Sequence, residues 1–183
     1  MNVLQTILIL TAAFLAVFGE ATFPVLRYWL GAQVDLLPVL MVYAALNADL
    51  VTVSLLAVLG GLWFDALSAN PLGVSVLPLY VMGFLIYLRR DLILREGSFA
   101  QLTLGTVACA VVPALSVLLM LTVGEQPLLG WSSIWQWIVM TAGGAAATPL
   151  VFALFNWCHH ALGYQPRTET SFRPDREIRR GRL

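Results

Sequence analysis

Charged side chains are scarce in this chain of 183 residues, and lysine is absent from it. The ten acidic and ten basic residues, the latter all arginine, make up 11% of the chain, whereas ordinary soluble domains are roughly 25% charged. Hydrophobic residues make up 60%, and the mean hydropathy is +0.84. This composition excludes a soluble globular protein and places any function in a bundle of membrane helices, its loops or its tail.

Cysteine is also scarce, and the N-terminus has no basic residue before its first apolar run. Cys109 and Cys158 lie in separate apolar runs, so their spacing predicts neither a disulfide framework nor a zinc site. Glu20 interrupts the region where a signal peptide would be cleaved. We therefore expect a retained first helix rather than a removed signal peptide.

The residues needed for catalysis are present but badly spaced. The serines at 132–133 precede the last apolar run and the histidines at 159–160 follow it, so a serine–histidine pair would be split between the two membrane faces. Asp49 and Asp65 are separated by 16 residues, or about 24 Å of helix, too far to share a proton. No glycine-rich phosphate loop is present. We expect a non-enzymatic protein without a cofactor, a metal or a nucleic-acid partner.

Apolar segments divide the chain into six predicted crossings and a tail. We predict an all-α integral membrane protein with six transmembrane helices in residues 1–162, followed by an arginine-rich tail at 163–183. The predicted spans are 3–19, 36–46, 50–64, 74–88, 99–123 and 134–158.

The second and third spans allow an alternative, because only Asn47, Ala48 and Asp49 separate them. A single helix over residues 36–64 would be about 44 Å long, against a bilayer core of roughly 30 Å. It would also place Asp49 near the bilayer centre, at a cost of about 2.5 to 3.5 kcal/mol. Length and the polar break therefore favour two short helices.

The arginines predict the orientation. In the six-helix arrangement nine of the ten lie on one side of the membrane and only Arg27 lies on the other. The nine comprise a basic loop (Arg89, Arg90, Arg95) and six residues of the tail. By the positive-inside rule both termini are cytoplasmic. A five-helix arrangement keeps those nine inside and adds Arg27, so charge alone does not decide between the two.

The tail has a net charge of about +3, which favours contact with anionic membrane lipid at about 1 kcal/mol per arginine near the surface. A solvated tail that only sets the topology and a tail that binds a cytoplasmic protein are the alternatives.

One face of the third helix has very small side chains. Ala57, Gly61 and Asp65 recur at every fourth position, so they lie on one face that ends in a carboxylate. Such a face permits close approach by another helix, either one from the same bundle or one from a partner protein. The following loop contains Ser68, Asn70, Leu72 and Gly73, residues of which three are typical of turns.

The run GLWFDALSANPLGVSVLPLYVMGFLIYLRRDL, from Gly61 to Leu92, resembles the MreD family of rod shape-determining membrane proteins. The mark of that family is a glycine followed four positions later by aspartate, then a small-residue loop ending in Leu-Gly and a hydrophobic helix leading to a basic loop. Residues 35–46 also resemble the second segment of the family. The matching positions are Gly61, Leu62, Asp65, Ser68, Leu72, Gly73, Arg89 and Arg90.

The resemblance implies a fold, a role and partners. The implied fold is similar to the six-helix substrate-binding component of energy-coupling-factor vitamin transporters. The implied role is a non-enzymatic scaffold in the bacterial inner membrane, acting in cell elongation and peptidoglycan synthesis. The implied partner is an MreC-like single-span protein, with RodA, a class B penicillin-binding transpeptidase and, indirectly, MreB in the same machinery.

Two hypotheses follow for the function. In the first, the Ala57–Gly61 face is a groove that receives a partner helix, while Asp65, Asn70 and Asp35 bind the partner chain at the outer mouth. In the second, suggested by shared architecture, the protein is a vitamin-binding subunit of a transporter. A vitamin pocket needs converging polar groups within the bundle, whereas the polar residues of this chain cluster at helix ends, which favours the scaffold.

Overall fold

The computed structural model describes residues 3–22, 34–68, 70–90, 98–124 and 130–161. Within these ranges the chain forms six helices and no strand, so the prediction of an all-helical protein is confirmed. In chain order the helices are α1 (Val3–Thr22), α2 (Leu37–Asn47), α3 (Leu50–Leu67), α4 (Val76–Arg89), α5 (Ser98–Val123) and α6 (Trp131–Ala161).

Four of these helices are long and apolar enough to cross a membrane, namely α1, α3, α5 and α6. The chain is therefore a multi-pass membrane protein. Helices α2 and α4 have 11 and 14 residues, or about 16 and 21 Å of length, less than the roughly 30 Å of a bilayer core. Two of the six predicted spans are therefore apolar helices that are shorter than a bilayer core is thick.

The short helix α2 is the centre of the bundle. Ten of its 11 residues are buried, and it contacts all five other helices. Its Tyr43 ring stacks on Phe155 and meets Phe152 edge-on, with centroid distances of 4.3 and 5.0 Å. A helix that is apolar on every side is stable only inside a bundle, which explains why α2 is enclosed.

The polar break between α2 and α3 is a real interruption of the helix. Ala48 is extended, with φ −116° and ψ 175°. The break leaves two carbonyl groups that other helices satisfy: the Gln5 side chain donates to the Asn47 carbonyl at 2.9 Å, and Arg90 donates to the Ala48 carbonyl at 3.2 Å. The single long helix considered from the sequence is thereby excluded, and the exposed Asp49 is not buried in the core.

The contacts define two ends of the bundle. The Arg90 end holds the α2–α3 break and the start of α1. The Asp65 end holds the C-terminal ends of α1 and α3 and the start of α4. Because α5 and α6 are antiparallel and Phe155 lies beside the second half of α2, the start of α6 is at the Asp65 end.

Helices α5 and α6 form a hairpin of uneven packing. Toward the Arg90 end, Gly105 faces Thr148 and Gly144 faces Cys109 so closely that a Cβ on either glycine would overlap its neighbour. Toward the Asp65 end, residues 113–124 and 130–143 include none that is buried. In this half, the described parts of the two helices therefore leave a large apolar surface uncovered.

Candidate functional site

The candidate site is the turn that joins α3 to α4, where the resemblance is concentrated. Asp65, in the last turns of α3, is only 1% exposed. Its Oδ2 atom accepts hydrogen bonds from the backbone N–H groups of Gly73 and Ser75, at 2.8 and 3.1 Å. One carboxylate oxygen thus fixes both the end of the loop and the residue before α4, whose first N–H groups have no acceptor within the helix.

The loop residues allow the backbone to reach Asp65. Gly73 has φ +94°, a left-handed conformation that favours glycine. The Phe64 carbonyl at the end of α3 accepts both the backbone N–H and the hydroxyl of Ser68, at 2.9 and 2.7 Å. Asn70 is half-buried, and Leu72 is 72% exposed. The signature residues between α3 and α4 are therefore mainly parts of one folded turn.

The second oxygen of Asp65 is used differently from the first. Its Oδ1 atom is buried and has no hydrogen-bond partner among the described residues. A buried polar atom without a partner costs about 1 to 3 kcal/mol. The sequence led us to expect that Asp65 binds a partner chain at the surface. In the structure Asp65 points into the turn and does not offer this oxygen to the surface.

The small-residue face of α3 is filled by the chain itself. Ala57 is fully buried and Gly61 is buried. A Cβ on Gly61 would lie 2.9 Å from the Cα atom of Val76, so the backbone of α4 crosses at that point. The predicted partner groove at Ala57 and Gly61 is therefore closed, because the short connection to α4 brings that helix onto the smooth face first. This face packs against a helix of the same bundle, which was the alternative interpretation of the sequence.

Asp35 is also turned inward. It is 5% exposed, and its Oδ1 accepts the N–H of Leu37 at 2.8 Å. Glu20, at the end of α1, accepts the N–H of Leu36 at the same distance, so two carboxylates cap the start of α2. Asp35 precedes the helix, and burial raises its pKa to about 6, an effect that the Leu37 hydrogen bond partly offsets. The predicted contact of Asp35 with a partner chain is thus replaced by a helix cap.

The basic residues of the predicted cytoplasmic loop lie at the Arg90 end where they are described. Arg89 is exposed, whereas Arg90 binds the Ala48 carbonyl and its guanidinium lies 4.3 Å from the centroid of the Tyr87 ring. Arg95, Arg27 and the arginines of the tail lie outside the described residues. The orientation of the chain therefore stays a prediction.

Two features of the described chain were not foreseen from the sequence. One is the pair of side-chain donors, Gln5 and Arg90, that satisfies the α2–α3 break; a lone glutamine in an apolar run was the available signal. The other is an open, mainly apolar groove of about 800 Å³ between α5 and α6 near the Asp65 end. For metals, the described residues hold no group of three histidine, cysteine or acidic side chains placed to bind one ion.

The fold and the site define a class: a multi-pass helical membrane protein in which a buried carboxylate hydrogen-bonds the α3–α4 turn. A scan against models of known families and searches of curated proteins and of solved structures found no match to the chain.

Proposed function

We propose that the chain is a non-enzymatic scaffold of the bacterial cell-elongation machinery, similar to MreD. In this proposal it lies in the inner membrane with both termini in the cytoplasm, and α2 and α4 complete six crossings. It binds an MreC-like single-span partner and, through that complex, acts with RodA and a class B penicillin-binding transpeptidase.

The geometry of the α3–α4 turn supports this proposal most directly. Gly61, Asp65 and Gly73 are three of the positions that match the family signature, and each has a packing or backbone-binding role. The glycine admits α4, the carboxylate binds the loop, and the second glycine adopts the required left-handed conformation. A signature whose residues build a rigid turn is what a scaffold needs, since it presents fixed surfaces to other helices.

The surface for the partner then lies on exposed faces of α3 and α4. The resembling run joins α3 to α4, whereas α2 is buried, so α3 and α4 offer the exposed apolar side chains beside the signature. Val58 on α3 is 44% exposed, and Leu85 on α4 is 54% exposed. Each belongs to a stripe of exposed apolar residues, Val51, Leu55, Val58 and Leu62 on α3 and Leu77, Tyr80, Leu85 and Leu88 on α4.

A depletion experiment tests the function. Removing the chain from its native bacterium should turn rod-shaped cells into spheres, while uptake of vitamins stays unchanged. Rods that persist after complete depletion would contradict the proposal, and lost vitamin uptake would favour the transporter alternative.

Co-purification with the MreC-like protein tests the surface. We expect Val58→Trp or Leu85→Trp to reduce recovery of the partner, because a bulky ring prevents close helix packing. Leu118→Trp on α5 is the matched control, since Leu118 is 56% exposed and lies outside the resembling region. If both test variants retain the partner as well as the control does, the interface is not on these faces.

A further inference from the structure

Helix α3 contains one turn of a different kind from the rest. Residues Leu56–Gly60 form a π-helical turn, while Leu50–Leu55 before it and Gly61–Leu67 after it are α-helical. A π-helical hydrogen bond spans five residues instead of four, so such a turn holds one residue more than an α-helical turn. We infer that this extra residue sets the rotation of the second half of α3 and thereby positions Asp65 to bind the α3–α4 turn. The inference does not depend on the proposed scaffold function.

Both halves of α3 are fixed to other helices, one on each side of the π turn. Before the turn, the hydroxyl groups of Thr52 and of Thr6 on α1 form a hydrogen bond of 2.8 Å. After the turn, the Asp65 carboxylate accepts the two backbone N–H groups that precede α4. The rotation between Thr52 and Asp65 is therefore set by contacts with the rest of the bundle, and α3 has to match it.

The rotation along α3 differs with and without the π turn. Asp65 follows Thr52 by thirteen positions, and at about 100° per position a continuous α-helix would place the two about 220° apart around the axis. The exposed Val51, one position before Thr52, lies at about 260° on the same scale. Five π-helical residues rotate by about 90° less than five α-helical ones, which brings Asp65 to about 130°. The π turn therefore moves the carboxylate away from the exposed side of α3.

The packing of two adjacent glycines fixes α3 at the end of the π turn. Gly60 and Gly61 are both buried. A Cβ on Gly60 would lie 2.8 Å from the Cδ1 atom of Leu37 on α2, whereas one on Gly61 would meet the backbone of α4 at Val76. Two neighbouring helices thus pack against consecutive residues of α3, so any change of rotation beyond this point disturbs both contacts.

Removing and adding one residue at the same place tests the inference. Deletion of Val58, which is 44% exposed, should convert the π turn to an α-helical one. Asp65 should keep its position, because four α-helical residues rotate by about as much as five π-helical ones. Insertion of an alanine between Val58 and Leu59 should instead rotate Asp65 by about 100°, away from the amides it binds. In a regular α-helix the two changes rotate the following residues by equal angles, so opposite outcomes are specific to the π turn.

The measurement is hydrogen exchange at the amides of Gly73 and Ser75 in the full-length protein in detergent. We expect exchange in the Val58 deletion to stay within about twofold of the native rates. In the insertion the rates should rise by about tenfold or more, since the hydrogen bonds to Asp65 are lost. Rates raised equally in the two variants would overturn the inference.

Two further deletions separate this effect from a general response of the bundle to deletions. Deletion of Leu59, half-buried in the same turn, should behave as the Val58 deletion does. Leu85 is 54% exposed on α4, which is α-helical throughout. Its deletion should lower the midpoint of thermal unfolding, because Ile86 and the residues after it rotate by about 100°. If the Leu85 deletion is as stable as the Val58 deletion, or if neither deletion within the π turn yields folded protein, the inference is wrong.

Discussion

Replacing Asp65 with alanine isolates the interaction that ties α3 to α4. In the native turn, the buried Oδ2 atom accepts the N–H groups of Gly73 and Ser75. Alanine removes the acceptor but leaves both donors in place. A buried donor without a partner costs about 1 to 3 kcal/mol, so the two together cost about 2 to 6 kcal/mol. Alanine also removes the unpartnered Oδ1, which returns about 1 to 3 kcal/mol. We therefore expect a net loss of about 1 to 3 kcal/mol in the free energy of unfolding.

Asparagine at the same position provides a graded comparison. Its side-chain oxygen can accept both N–H groups, while its amide nitrogen takes the place of Oδ1, an atom that has no described partner. One unpartnered polar atom thus replaces another and both N–H groups keep their acceptor, so we expect the free energy of unfolding of Asp65→Asn to stay closer to the native value than that of Asp65→Ala.

The assay is equilibrium unfolding in mixed detergent micelles, combined with hydrogen exchange at the amides of Gly73 and Ser75. Both amides should exchange faster in Asp65→Ala, since their hydrogen bonds are the ones removed. Asp49→Ala is the control: Asp49 is exposed and is the N-cap residue at the other end of α3. Its replacement should cost about 0.5 to 2 kcal/mol and leave exchange at Gly73 and Ser75 unchanged. A change below about 0.5 kcal/mol in Asp65→Ala, with unaltered exchange, would refute the role assigned to this carboxylate.

Three further changes test other parts of the bundle. Gly61→Ala should lower the free energy of unfolding by about 1 to 3 kcal/mol because its Cβ meets the backbone of α4. Gly19→Ala places its Cβ in open space and should be neutral or stabilising. Equal effects of the two variants in thermal unfolding would contradict this packing. Gln5→Leu should cost about 1 to 3 kcal/mol by leaving the Asn47 carbonyl unsatisfied, which denaturant titration measures. Asp35 has a raised pKa in the folded state, so stability should fall by about 3 kcal/mol as the pH rises from about 4 to 6. Asp35→Asn should abolish most of this pH dependence. If the pH profile of the melting temperature is the same in Asp35→Asn as in the native protein, the dependence does not come from Asp35.

The break between α2 and α3 was predictable because a local signal, three residues of low hydropathy, coincided with a length that no single span could accommodate. The partners of the break were not, because Gln5 and Arg90 lie 42 residues from the carbonyls they bind. Hydropathy along the chain carries no information about which distant donor reaches a given acceptor.

The small face of α3 illustrates the same limit. Its spacing correctly indicated close approach by a helix, but both a partner helix and a helix of the same chain satisfy that pattern. Only the position of Val76 against Gly61 shows that α4 occupies it. The open groove between α5 and α6 left no recognisable local pattern, because it lies beyond the close glycine contacts that these two helices make toward the Arg90 end.

The sequence by itself determined that this is a helical membrane protein, where its helices begin and end to within a few residues, and which turn has an unusual composition. These are properties of hydropathy and local backbone preference, which depend on neighbours along the chain. Tertiary structure alone decided that α2 is the enclosed centre, that Asp35 and Asp65 face inward and that α4 covers the small face of α3. Burial and hydrogen-bond pairing depend on which helices meet, and residues far apart in sequence determine that.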